Sequence, residues 1–270
     1  MSRFKILKRL FFLALLIVGL GTGRAGHAET LKVCYDQWPP LTIFPSNGSS
    51  ARGVVIDMLE QIYTAQGYEL EFFEVPLARG LAMVCDGLCD ILPEYVGSVN
   101  TENDFVYGNE PTFAYTTAFV VRRGDPWRYH GIQSVIGKRV GTGPGWDYSS
   151  MSMAYQYYID DPKNADFVEV VADVIDRILR MIVEDRVDLY ADNELVLQHV
   201  LNRLDLHDEL QVTHPGLEKK LVERPIFSKR IPDAKRQQLI RIWDEGRLLI
   251  KGEQEKMILK KYNVSLDEPR

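Results

Sequence analysis

Cys89-Asp90-Ile91-Leu92-Pro93-Glu94-Tyr95 is the stretch on which the reading of this chain turns. Ile91 and Leu92 come just past Gly87 and a helical segment, so they read as a short buried strand. Pro93 has no N–H for a strand ladder and is expected to end it. Glu94 and Tyr95 then stand at the strand's carboxyl end, where open α/β sheets bind their ligands. A plain surface turn is the alternative. Three other strand ends carry similar groups, which favours the first reading.

Upstream, Leu31–Tyr35 is a first strand followed by Asp36, Gln37, Trp38, Pro39 and Pro40. The prolines hold Trp38 in an extended loop, either capping a core edge or forming an aromatic wall for a ligand. Gly53 opens a helix to Gln66 with Val54, Val55, Met58, Leu59 and Ile62 on one face, and Gly67 stops it. Residues 68–74 alternate as a second strand. Pro76 begins a helix that ends near Cys85–Gly87. Arg79 falls in its first turn, where the helix dipole disfavours a cation; it is either a solvated surface group or turned toward an acidic cleft.

Downstream, Thr116–Arg122 is a β-prone strand, and Lys138–Gly141 begins a new β-α-β set. Gly141-Thr142-Gly143-Pro144-Gly145-Trp146-Asp147-Tyr148 follows it, leading into a helix to about Ile159. The glycine spacing is not that of a dinucleotide fingerprint, there is no P-loop lysine, and Asp147 is an acid where a phosphate would sit. Asp147 either caps the helix or faces a ligand. Further strands are expected at 167–170, 187–190, 209–213 and 220–224, with helices at 172–184, 192–204, 232–250 and 252–261. The last two have Trp243, Leu248, Ile250 and Ile258 on their apolar faces. Asp188 starts its strand, and Asp192 ends it as ligand group or N-cap. Alternating strands and helices give an α/β protein with mostly parallel sheets.

Residues 1–28 read as a secretory leader: basic Arg3, Lys5, Lys8 and Arg9, an apolar run Leu10–Leu20, and small residues before cleavage after about Ala28. Its removal leaves 27 basic against 38 acidic side chains, a formal charge of −11 in place of −6. Such a balance argues against nucleic acid or anionic lipid as partner. An exported protein can hold a disulfide, and three cysteines leave one over. Cys85 and Cys89 lie one helical turn apart and are the expected pair, with Cys34 buried in the first strand. No histidine lies near a cysteine, so no metal or cofactor is expected. No nucleophile–base arrangement emerges, and no catalytic residue is assigned.

The order of these features carries a resemblance. A leader and strand precede Trp38-Pro39-Pro40, Gly53 with its helix, Pro76-x-x-Arg79 and Gly87-Leu88-Cys89-Asp90-Ile91. Gly137-Lys138-Arg139-Val140-Gly141, Gly145, and Val187-Asp188 leading to Asp192 follow. This resembles the periplasmic solute-binding proteins for polar amino acids (family 3, type II periplasmic-binding fold), over nearly all of the chain after the leader. The resemblance implies two α/β lobes, about 29–119 plus 226–270 and about 120–225. Crossover strands near Thr117–Arg122 and Leu221–Phe227 would join them, with ligand bound between. It implies ligand contacts from Trp38, Glu94, Tyr95, Gly145, Trp146, Asp147, Tyr148 and Asp192, with Asp36 and Arg79 beside them. A monomer delivering a small solute to an ABC permease or a membrane sensor is the implied role. The chain departs from the family where Thr101 is followed by Glu102-Asn103-Asp104, without the arginine that clamps an α-carboxylate. Closing lobes over Glu94, Asp147 and Asp192 would desolvate anions at several kcal/mol each, which points to a cationic ligand. The competing reading is an exported enzyme on the same fold, of cyclohexadienyl-dehydratase type, with Glu94 as general acid.

Overall fold

The computed structural model describes residues 28–46, 48–97, 101, 103–169, 173–215 and 220–264. The expected leader lies outside the described residues apart from Ala28, as do Val170 and Ala172 at two expected element ends. Among the described residues, no helix is long and apolar enough to cross a membrane.

The described residues form a ten-stranded sheet with helices packed around it. Its first part runs β1 (Glu29–Tyr35), α1 (Val54–Thr64), β2 (Tyr68–Glu74), α2 (Leu77–Asp86), β3 (Ile91–Tyr95) and β4 (Val106–Tyr107). Strand β5 (Phe113–Arg122) leads to β6 (Val140–Thr142), α3 (Met153–Ile159), β7 (Ala165–Phe167), α4 (Val174–Val183), β8 (Leu189–Asn193), α5 (Glu194–Leu204) and β9 (Leu210–Thr213). Strand β10 (Lys220–Phe227) returns to α6 (Asp233–Ile250) and α7 (Glu253–Lys261). The order is β2-β1-β3-β10-β5-β8-β6-β7, with β4 on β10 and β9 on β5. Strands β2, β1 and β3 are mutually parallel, as are β8, β6 and β7. The antiparallel pair β5 and β10 lies between the two groups and joins them.

Leu31, Val33 and Tyr35 on β1 are fully buried against Val54, Val55, Met58 and Leu59 of α1. On the other side, Phe119, Val121, Tyr155 and Leu189 form a second core. Both agree with the apolar runs that strands covered on two faces require. Leu248 is 55% exposed, so the apolar face of α6 is carried by Leu239, Ile240, Trp243 and Ile250 instead.

Pro93 does not end β3. The strand continues through Pro93 to Tyr95, every residue buried. Opposite it, β10 shifts register between Arg224 and Ile226, which pair with Tyr95 and Leu92. A residue without an N–H fits where the ladder is interrupted, and the Pro93 carbonyl accepts from Thr112 Oγ1 at 2.6 Å.

The expected Cys85–Cys89 pair is also corrected. The disulfide joins Cys34 to Cys89, with Cα atoms 5.9 Å apart, and Cys85 is free. Cys34 faces away from the Val33–Tyr35 side of β1, and the parallel β1/β3 register sets Val33 against Ile91, two residues beyond Cys89. Cys85 ends up on α2, separated from Cys89 by the left-handed turn at Gly87.

Gly53 starts α1 at φ 100°, ψ 167°, a region open essentially to glycine. A Cβ there would lie 2.3 Å from the Leu41 carbonyl oxygen. The approach is close because Val54 and Val55 donate to the carbonyls of Pro40 and Leu41 at 3.0 and 2.9 Å. Gly53→Ala is expected to cost about 2–3 kcal/mol, read as a lower urea midpoint. An unchanged midpoint would show that the loop carrying Trp38 yields freely.

Candidate ligand-binding cleft

Strand direction builds the site. The carboxyl ends of β1, β3, β6 and β8 converge, and the joining strands β5 and β10 pass beneath them. Between them is a cleft of about 790 Å3, part of it open to solvent. Asp36 and Trp38 come from the end of β1, Glu94 and Tyr95 from β3, Trp146, Asp147 and Tyr148 from the loop after β6, and Asp192 from β8. Eight of the ten residues expected to touch ligand therefore line one cleft.

Gly145 and Arg79 do not line this cleft. Gly145 sits at φ 80°, where a Cβ would come 2.7 Å from Ala78 Cβ at the start of α2. It is a point of close approach across the cleft mouth. Arg79 is exposed on α2, as a cation in a first helical turn is better solvated than desolvated among backbone N–H groups. We expect Gly145→Ala to weaken ligand binding about tenfold, through a clash and strained backbone of 1–3 kcal/mol. Calorimetry checks this; wild-type affinity would show that residues 78 and 145 do not meet in the bound form.

Trp38 is fixed by a tight turn: its N–H donates to Thr42 O at 2.9 Å, and its carbonyl accepts from Leu41 and Thr42. Its indole N–H reaches across the cleft to Asp192, 3.0 and 3.2 Å from the two carboxylate oxygens. Asp192 also accepts from the Tyr190 hydroxyl and from Asn193 N. The helix N-cap role falls to Asn193, whose side chain accepts from Leu195 N at 2.9 Å. Asp192 is thereby left to face the cleft. Asp147 does not cap α3 either. That helix begins only at Met153, capped by Ser152, while Asp147 accepts from Ser149 N at 2.8 Å. With residues 146–152 intervening before Met153, the Gly141–Gly145 segment offers no helix N-terminus to an anion.

Three groups the sequence reading passed over complete the site: Glu223 on β10, Tyr115 on β5 and Tyr190 on β8. Glu223 is 1% exposed and Glu94 4%. Neither carboxylate makes a hydrogen bond of good geometry, and the Thr42 hydroxyl beside Glu94 only partly offsets its burial. The signal for Glu223 was available, since it shares a strand face with Leu221. Tyr115 meets Trp38 edge-on at 6.1 Å, and Trp146 lies over Tyr190 at 5.7 Å. Among the described lining residues there is no lysine, arginine or histidine.

The electrostatics follow from crowding acids without counter-charge. Burial, then Asp36 and Glu223, push Glu94 well above the usual carboxylate range. Burial, then Asp192 and Asp36, do the same to Glu223. Burial raises Asp36 to about 6. Asp192 rises to about 7, again through burial, although hydrogen bonds from Tyr190, Asn193 and Trp38 oppose the rise. Four carboxyls thus influence one another in a single space, and each gains from a cation entering it.

No protein-family model and no curated protein matches the sequence. The fold matches solved structures. An ABC uptake transporter substrate-binding protein from Streptococcus pneumoniae with bound histidine shares 14% identity, covering 87% of this chain and 92% of that one, with TM-score 0.70. An amino acid ABC transporter substrate-binding protein from the same organism, bound to L-arginine, shares 18% over 88% and 97%, TM-score 0.67. A histidine kinase sensor domain with similarity to periplasmic binding proteins shares 16% over 88% and 97%, TM-score 0.70. The architecture is therefore the two-lobed type II periplasmic-binding fold.

Proposed function

We propose that the chain is an exported receptor that holds a small cationic solute between its lobes and presents it to a membrane partner, an ABC importer or a sensor. The observation that carries this reading is the pair Glu94 and Glu223: buried carboxyls without a counter-charge in a cleft whose described lining has no basic side chain. A bound cation supplies the missing charge, and the rings of Trp38, Tyr115, Trp146 and Tyr190 add cation–π contacts of ~0.5–2 kcal/mol each. An anionic ligand would leave every one of these acids worse placed.

The lobes of this reading are 29–119 plus 226–270 and 120–225, closing about the two joining strands. Two contacts across the cleft support such closure: Trp38 with Asp192, and the Ser150 hydroxyl donating to Gly97 O at 2.6 Å. Fold relatives that carry arginine or histidine lend support for a solute receptor rather than an enzyme. Calorimetry of the purified protein against basic amino acids, polyamines, quaternary amines and acidic amino acids tests the proposal. Binding confined to cations is the expected result. Tight binding of glutamate or another dicarboxylate would overturn it.

A further inference from the structure

Resting on that reading, we infer that the ligand is an aliphatic amine with two or more positive charges and no carboxylate, a diamine or polyamine rather than a basic amino acid. The cleft offers an α-carboxylate no guanidinium, ammonium or imidazole among its described lining residues, and Thr117 is the one aliphatic hydroxyl there. An amino acid would bring its own anion into a space already shared by Asp36, Glu94, Asp192 and Glu223. Juxtaposed like charges cost several kcal/mol.

The acids also exceed what a single charge can satisfy. Glu94 and Glu223 sit on different strands, β3 and β10, and Asp192 comes from a third, β8. Among the described residues, no three such groups are placed to hold one metal ion. Several acids drawn from different strands into one space can take up more than one positive charge, and a chain can carry it. Rings between them give the intervening methylenes an apolar bed.

A second recess adjoins the cleft. Asp36, Leu77 and Trp146 form a shared wall between this cleft and a second recess of about 810 Å3, which also touches Gln37 and Glu169. A chain passing Trp146 would keep one ammonium at the inner acids and bring another toward Glu169. A compact monocation has nothing to reach the second recess with.

Two matched pairs test this by calorimetry on the dialysed full chain: cadaverine against lysine, and agmatine against arginine. Each pair differs only by a carboxylate. We expect the decarboxylated member to bind at least about 30-fold tighter in both pairs. Equal or tighter binding of lysine and arginine would overturn the diamine inference and leave the cationic receptor standing. So would tight binding of choline with none of cadaverine, agmatine or spermidine. Binding of glutamate alone, or of none of these compounds, would overturn both.

Discussion

Glu223→Gln is expected to weaken binding of the cationic ligand by about 30-fold or more, since removing one partner of a buried charge pair costs 2–5 kcal/mol. The same change should stabilise the ligand-free protein at pH 8. Glu223 is 1% exposed, has no partner, and its carboxyl is pushed well above its ordinary range by burial and by Asp192 and Asp36. A raised folded-state pKa means that the native protein holds a proton the unfolded chain has released. Stability from such a group is present at acid pH and is lost as pH climbs through the folded value. For Asp36 and Asp192 that decline runs from about 4 to about 6 and about 7. The ligand-free protein should therefore melt higher at pH 5 than at pH 8. The amide should recover about 1–2 kcal/mol at pH 8, or about 2–8 °C in melting temperature. A variant that melts lower than wild type at pH 8 without ligand would mean that Glu223 has a counter-charge.

Loss of the Cys34–Cys89 bond is expected to cost roughly 4 kcal/mol, because the bridge closes a loop with a sequence separation of 55 residues. Cys34→Ser should lower the melting temperature by about 8–16 °C. Cys85→Ser should move stability by no more than about 0.5 kcal/mol, and thiol titration of the wild type should find one free cysteine. A large loss with Cys85→Ser and none with Cys34→Ser would reinstate the pairing suggested by local spacing.

That spacing misled for a physical reason. Sequence distance reports contacts within one helical turn, but not a contact made when two parallel strands settle side by side, as β1 and β3 do. Element order was legible because the apolar face of α1 and the alternation of β2 are local signals, and the structure returns β2 at the expected 68–74. Pro93 was misread because the register shift that accommodates it lies on β10, about 130 residues away. Strand ends gave eight of the ten candidate positions, because their placement follows from strand direction alone. Arg79 and Gly145 required knowing which way α2 and the β6 loop face. Glu223 was missed because a joining strand was read as a connection, not as part of the floor.

Those two joining strands have a mechanical consequence. A single strap lets the bodies it connects swivel freely. Two straps bonded edge to edge, with Lys220 to Glu223 matched against Thr116 to Phe113, flex like a leaf spring and resist torsion. On the proposed closure, the jaws would travel along one arc. Glu223 rides on the spring itself, so on the same proposal the acid that would attract the guest sits at the fulcrum, where it moves least as the jaws swing.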